Sequence, residues 1–493
     1  MKETVTRPQI TADDFGLHRD INRAILDCAR QGLINAVSIA PCGDALDEEA
    51  FAGLRTAAAG NPDLRLGIHL QLTEGRACAG PSTVATDGEL LPYVTAVIPR
   101  LYSGRMRLRD VEREWDAQLR LVRDAGIDIR FISGHQHVHL LPGLWRITRG
   151  LSRRYRIPDI RTPYESVIGA VMSGSIFVAA FQTHAYLHRL RFGAMRKYSL
   201  GMLCSMHFSV AKVLERLFRH LYKSRIVEIM VHPAFATDAL KRKFPTWNAA
   251  WEKEISELAL QRRVLDAYQA NPDLHAQVMR RFSGIPAFER WFIEGRAQLC
   301  PFWLIDALTP REGLILDCGS GHGYLACYCA LSSAQRRITG ADPDAAKTAM
   351  ARLAAEGLAA EFHACSAEEL LTRDERMYDG AMVIDMLYQL PRERQESLLR
   401  RLAARIRPGG VVVIKETHRH AGLRYAFAYA EECLVVSLRR RRPSLRFYYR
   451  SVREWRALME SSGFAASAVL PVPGEAMNNR SFVMAFVKAG SPR

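Results

Sequence analysis

The sequence predicts an α/β protein built from two folded units. Three observations carry that expectation. The chain has 493 residues, more than one core of roughly 100 to 200 residues usually supports. Short apolar runs alternate with amphipathic stretches through the first half. A second such alternation then opens at Gly313, after a long helical pattern, and does not repeat the first. Hydrophobic content of 48% and charged content of 24% are ordinary for globular chains, so each unit can bury a core.

In chain order, NAVSIAP, LRLGIHLQL and IRFISGHQHVH read as strands, with a helix starting near Ile21. VEREWDAQLRLVRDAG has helical spacing and is closed by Gly126. Ahead of the paired aspartates Asp13 and Asp14, the stretch VTRPQIT interrupts the apolar pattern with Arg7, Pro8 and Gln9, which predicts a short first strand or an edge strand. After VEIMVHPAF, the helical run EKEISELALQRRVLDAYQA is expected to end at Asn271 and Pro272. The second series runs through GLILDCGSGHG, RRITGADPDA, YDGAMVIDML and GGVVVIKE. The predicted layout is a first domain at 1–275, a helical lead-in at 276–300 and a second domain at 301–493.

Lys and Arg outnumber Asp and Glu by 68 to 52, a formal charge of +16, which favours anionic partners. No recognition-helix or RNA-binding signature accompanies it, so no nucleic acid is expected; an anionic membrane surface stays open. The densest cluster, Arg439 to Arg442, reads as a solvated basic face. Ten cysteines contain no CxxC pair, and MKETVTRPQI lacks the apolar core of a secretory signal, which points to the cytoplasm. The uncharged stretch SVIGAVMSGSIFVAAFQTHAYL (166–187) reads first as a buried or substrate-facing helix, then as a membrane-surface helix and last as a span.

In an extended strand, GHQHVH would place His135, His137 and His139 on one face, where three imidazoles need a metal or polar ligand. His69 ends another apolar run, where its plainer reading is a buried, hydrogen-bonded residue. Asp13 and Asp14 could cap the following helix, but adjacent carboxylates repel and a divalent cation would relieve that repulsion.

TADDFG with Asn22 after it, GIHLQLTEG, GHQHVHLLP, IRTP and EIMVHPAF, in that order, resemble the YdjC/ChbG family of carbohydrate deacetylases over about residues 8 to 270. The stretch from MSGSIFVAAF to CSMHFSV looks most like the branch associated with hopanoid lipids. The resemblance implies a barrel-like (β/α) domain holding one divalent metal, magnesium or zinc, through Asp14, His69 and His135. Asp13 is then the general base and His232 the acid, with Arg161 orienting a carboxylate unless it is an ordinary surface arginine. Where many relatives have an aspartate two residues before the HxHxH run, this chain has Ser133, which predicts a missing partner for a ligating histidine.

In the second half, Gly319, Gly321 and Gly323 follow an apolar strand and open onto a helix, and Asp342 lies near the spacing of a ribose-binding acid. With GADPDA, SAEEL, YDGAMVIDMLYQL and RIRPGGVVVIKE, this looks like a class I S-adenosylmethionine-dependent methyltransferase. The likeness implies a Rossmann-like, seven-stranded sheet. Asp317 and the glycines would lie by the methionine portion, Asp342 by the ribose, and Ser366, Ala367 and Glu368 around adenine, unless these last serve as a helix cap. Tyr388 and His418 could face a methyl acceptor, but packing or exposure explains them as well. Together the halves predict a bifunctional enzyme that deacetylates an N-acetylated amino sugar or glycolipid and transfers a methyl group. The alternative is an active methyltransferase carrying a non-catalytic sugar- or lipid-binding module.

Overall fold

The computed structural model describes residues 8–164, 182–187, 197–200, 226–245, 247, 251–417, 447–472 and 481–490. The chain divides into two compact units, Met1–Gln261 and Arg262–Arg493. The basic cluster at Arg439 to Arg442, His418, CSMHFSV and most of the uncharged stretch lie outside the described residues. Among the described residues no helix is long and apolar enough to cross a membrane.

The first unit is a parallel sheet of seven strands: β1 (Gln9–Phe15), β2 (Ala36–Ile39), β3 (Arg65–Leu70), β4 (Phe131–Gly134), β5 (Asp159–Ile160), β6 (Lys197–Leu200) and β7 (Ile226–Val231). Their order is β5-β4-β3-β2-β1-β7-β6, and the sheet curls into a half-barrel. All the pairings are parallel, so the C-terminal ends of the strands share one edge. In parallel α/β sheets that edge is where ligand sites are built.

The first strand departs from expectation. It is neither short nor an edge: its seven residues are all buried, and it pairs with β2 on one side and β7 on the other. Pro8 precedes the ladder, so no internal donor is lost. The polar residues that broke the apolar pattern are satisfied from the neighbouring strand. Gln9 Nε2 and Thr11 Oγ1 donate to Glu228 Oε1 on β7, at 3.2 and 2.8 Å. Asn35 joins in, accepting the Ile10 N–H through its side chain at 2.6 Å.

Helix Leu108–Asp124 buries Val111, Trp115, Leu119 and Val122, a spacing that keeps one face on the sheet, and Gly126 ends it at φ +79°. Its buried face also supports the loop after β3, because Trp115 Nε1 and Gln118 Nε2 both donate to the Gln71 carbonyl, at 3.1 and 2.9 Å. The helix expected to stop at Pro272 instead runs from Trp251 to Arg281. Beyond the proline, Val278, Met279 and Phe282 are buried. That packing outweighs the roughly 3 kcal/mol a helix-interior proline costs.

The second unit is a mixed sheet of β8 (Gly313–Cys318), β9 (Arg336–Ala341), β10 (Ala360–His363), β11 (Tyr378–Ile384), β12 (Ile406–Thr417), β13 (Phe464–Pro471) and β14 (Ser481–Lys488). The order is β10-β9-β8-β11-β12-β14-β13, with β14 antiparallel to both neighbours. This is the Rossmann-like arrangement the sequence predicted, with its chain reversal at β8, beside β11. Leu316, Tyr378, Leu398, Ile414, Trp455 and Phe486 lie in its core.

Arg336 anchors the start of β9. It is fully buried, pairs with Asp306 and donates to the carbonyls of Cys329, Asp306 and Thr309 at 3.1, 3.1 and 2.9 Å. Removing one partner of such a pair strands the other charge in the core. Arg336→Met is therefore expected to destabilise the second unit by about 3 kcal/mol, measured as a lower denaturant midpoint.

Candidate metal centre and cofactor cleft

In a regular strand Asp13 and Asp14 would point to opposite faces. Here the β1–β2 register shifts between Ala12 and Phe15, and Asp14 takes φ +71°. The bulge brings both buried carboxylates under the influence of His69. Asn22 secures the turn: its Oδ1 accepts the Gly16 N–H at 2.7 Å and its Nδ2 donates to Ala45 O at 2.8 Å. Asn22 thus has a structural reason to follow TADDFG.

Asp14, His69 and His135 offer ligand atoms that all lie within 4.8 Å of one another, and all three residues are buried. Asp14 Oδ1 is 3.0 Å from His135 Nδ1 and 3.4 Å from His69 Nε2. Burial works against ionising Asp14, yet His135 and then His69 hold its carboxyl well below the usual range. Burial likewise disfavours a charged His135, but Asp14 and Glu74 outweigh it and push its pKa up to about 10. Burial lowers His69. One carboxylate and two imidazoles, all buried and converging, suit a divalent cation.

The HxHxH run does not continue the strand. β4 stops at Gly134, and His135–Leu140 forms a 3-10 turn in which Gln136 and His137 have φ 48° and 58°. Three histidines on one strand face is therefore corrected. His135 turns toward Asp14, whereas His139 Nε2 donates to the Arg161 carbonyl at 2.9 Å and serves the packing. Burial, then His139 and Arg161, keeps His137 neutral.

Ser133 also differs from its predicted deficit. Its Oγ donates to the Ile68 carbonyl at 3.1 Å and lies 2.7 Å from His69 Nδ1, with Ser38 Oγ 3.2 Å from the same nitrogen. His69 Nδ1–H can then donate to Ser133, leaving the Nε2 lone pair facing Asp14. The serine supplies the orienting partner that the missing aspartate would have given.

Asp13 is gripped by Arg161, whose two terminal nitrogens donate to Oδ2 at 2.5 Å and Oδ1 at 2.9 Å. Arg161 is buried and also donates through Nε to Glu228 at 3.0 Å, so it is no surface arginine. Burial opposes the charge on Asp13, but Arg161 and His69 keep its pKa below normal. His232 follows β7, and its backbone N–H donates to Glu254 Oε1 at 2.7 Å.

Sequence reasoning missed Glu74, Glu254, Glu228 and Trp247. Glu74, at φ +59°, lies 2.9 Å from His135 Nε2; its signal was the TEG end of the GIHLQLTEG motif. Burial raises the pKa of Glu254. Trp247 stacks on His135 at 6.0 Å and on Phe244 at 4.4 Å. Nothing in their local sequence marked these last two.

In the second unit Gly319, Gly321 and Gly323 have φ of 74°, 55° and 77°, conformations that side chains resist. The loop is pinned by Gly319 N and Ser320 N donating to Ala341 O at 2.8 and 3.0 Å, and by Gly321 N donating to Asp342 Oδ2 at 2.9 Å. Asp317 is buried, its Oδ2 has no hydrogen-bond partner, and burial followed by Asp342 pushes its pKa to about 7. An open glycine loop beside an unpartnered carboxylate suits a cationic, ribose-bearing cofactor.

Ser366 caps helix Ala367–Arg373 in a reciprocal pair with Glu369, and Glu368 pairs with Arg394, so both have structural duties. Tyr388 is packed between aromatic rings, stacked on Tyr449 at 5.0 Å. Further along the same edge, Glu416 accepts the N–H groups of Met386 and Leu387 at 3.1 and 2.8 Å. Burial and then Asp385 push it up to about 8.

Residues 9–269 match the family of YdjC-like proteins, and residues 315–410 match a methyltransferase domain family. A carbohydrate deacetylase of Brevibacillus brevis is 26% identical, across 47% of this chain and 82% of its own length. A carbohydrate deacetylase of Mus musculus is 25% identical, across 62% of this chain and 97% of its own. Among solved structures, the magnesium protoporphyrin IX methyltransferase of Synechocystis PCC 6803 is 17% identical, covering 46% of this chain and 99% of its own with a TM-score of 0.32.

Two outcomes follow from this geometry. Ser133→Ala removes the nearer of the two hydroxyl partners of His69 Nδ1 and should weaken divalent-cation affinity by roughly tenfold, read by titration calorimetry. Glu416 has a folded pKa of about 8, above its unfolded value, so the folded state binds more protons in between. Stability of the second unit should then fall as pH rises from the ordinary glutamate range through about 8. Denaturant midpoints across pH should show that slope, and Glu416→Gln should reduce it, leaving the share that Asp317 contributes up to about 7.

Proposed function

The chain belongs to the YdjC-like protein family, and on that footing we propose a bifunctional enzyme that hydrolyses the N-acetyl group of an amino sugar and transfers a methyl group from S-adenosylmethionine. The hydrolase occupies 1–275, the lead-in 276–300 and the transferase 301–493. The sugar is free or lipid-linked and is handled in the cytoplasm or at an anionic membrane surface. The observation that carries the hydrolytic half is the convergence of Asp14, His69 and His135 beside an Asp13 carboxylate held by Arg161.

Asp14, His69 and His135 would hold the cation. Bound there, a divalent ion supplies Lewis-acid polarisation of the acetamide carbonyl and a more acidic water, which suits a base as weak as an arginine-paired aspartate. Arg161 fixes both Asp13 oxygens, so that carboxylate can take a proton only along the direction left to it. His232, whose backbone N–H is tied to Glu254, would return a proton to the departing amine. In the second unit, Asp317, the Gly319–Gly323 loop and Asp342 would hold S-adenosylmethionine, which supplies the methyl group. Positioning does most of the remaining work when the acceptor is already nucleophilic.

The rival reading, a binding module in place of the hydrolase, rested on Ser133 and on a damaged first strand. Ser133 supports His69 and β1 is a fully buried central strand, so both motives lapse.

With N-acetylglucosamine oligomers and added divalent metal, the full chain is expected to release acetate. Asp13→Asn should slow release by at least about a hundredfold while retaining cation binding, whereas Asp14→Asn should lose both. Acetate assay and elemental analysis on the same samples check this. Full activity in Asp13→Asn would exclude Asp13 as the base.

A further inference from the structure

Cys42 and Cys78 are remote in sequence, on the loops that follow β2 and β3, yet the fold brings their Sγ atoms to 3.8 Å. Cys42 is buried, Cys78 is half-buried, and both are free thiols. The third group in reach is Glu114, whose Oε1 is 3.6 Å from Cys42 Sγ. That carboxylate already accepts the N–H groups of Cys78 at 2.9 Å and Ala79 at 2.8 Å, and the Gln118 amide at 2.9 Å. With Glu114 so engaged, two sulfurs remain, too few for a closed cation cage. Sulfur–sulfur chemistry is what the arrangement favours.

We propose that Cys42 and Cys78 form a reversible dithiol–disulfide pair that tethers the Glu74 loop to the end of β2. The oxidant is a small disulfide such as oxidised glutathione. The Cys78 thiolate, on the accessible side, attacks one glutathione sulfur; a mixed disulfide forms and one glutathione thiolate leaves. Cys42 then gives up its proton to solvent and attacks the Cys78 sulfur, displacing the second glutathione. Two protein thiols become one disulfide, and one oxidised glutathione becomes two reduced ones. Burial, with Cys78 and Glu114 adding to it, holds the Cys42 thiol protonated, which leaves the first attack to the more accessible Cys78.

The loop is already mechanically linked to Cys42. Arg76 N donates to Cys42 O at 2.8 Å, and a Cβ at Gly75 would lie 2.0 Å from that oxygen. Gln71 spans the same gap, accepting Cys42 N–H through Oε1 at 2.8 Å and donating through Nε2 to Glu74 O at 2.7 Å. Drawing the sulfurs together must therefore load the segment that sets Glu74 against His135 Nε2. An effect on hydrolysis rests on the function proposed above; the thiol chemistry and the stiffening of the loop do not.

The test incubates the full chain with oxidised glutathione and then maps its peptides. A linked Cys42–Cys78 peptide is expected, lost on dithiothreitol treatment and absent from Cys78→Ser, which should stop at no disulfide from Cys42. Amide hydrogen exchange across residues 73–79 should slow by roughly tenfold in the oxidised form, and acetate release should change in the wild type but not in Cys78→Ser. A Cys78 that halts as the glutathione adduct, or pairs with another cysteine, would overturn the proposal. A linked pair with unchanged exchange would overturn the tether. If neither redox form releases acetate, the hydrolase reading fails, while the peptide map and exchange still decide this one.

Discussion

A buried guanidinium makes the first site physically possible. Asp13 on β1 and Glu228 on the neighbouring β7 are both buried, and removing two carboxylates from water costs several kcal/mol each unless a counter-charge accompanies them. Arg161 supplies it to both, with a two-point grip on Asp13 and further bonds to Glu228. Glu228 in turn receives Gln9 and Thr11 from β1. The same network thus pays for a polar central strand and holds Asp13 ionised. A lysine could not replace this arginine, because one ammonium lacks the planar fork that serves two acceptors at once.

Strain gathers where chemistry is expected. Among the described residues, non-glycine positions with positive φ include Asp14, Glu74, Gln136 and His137 around the first site and Asp385 beside the second cleft. Such conformations cost of order 1–3 kcal/mol each and persist only when the surroundings enforce them. Asp14 shows how: the register shift in β1 and the Asn22 clasp on Gly16 leave the backbone no ordinary alternative. Without that turn, Asp13 and Asp14 would face opposite sides of the sheet.

This is also why the site was only partly legible in the sequence. His69, His135 and the two aspartates could be named because the short motifs around them resemble a known family in order, and motifs are local signals. The two sheets were legible for the same reason, through alternation. What stayed hidden depends on long-range partners. Gln9 and Thr11 look like poor strand residues until Glu228 is placed beside them. Ser133 looks like a loss until its hydroxyl is seen against His69. The HxHxH run was misread because alternation in the sequence cannot reveal a left-handed turn at Gln136 and His137. Cys42 and Cys78 were passed over because spacing rules search for neighbours in sequence.

The two sites solve opposite electrostatic problems. In the first, burial is opposed by abundant positive partners, so Asp13 and Asp14 are held ionised; carboxylates in that state are ready to receive a cation. In the second, burial and then the charge of Asp342 raise the pKa of Asp317 to about 7. A carboxyl poised there costs little to ionise once a positive group arrives, because the incoming charge removes the penalty that raised it. The sulfonium and ammonium of S-adenosylmethionine are such groups. On the function proposed above, in which Asp317 faces the cofactor, binding should shed a proton from Asp317 near neutral pH, and the reaction product, which has lost the sulfonium charge, would be held less firmly by the same carboxylate.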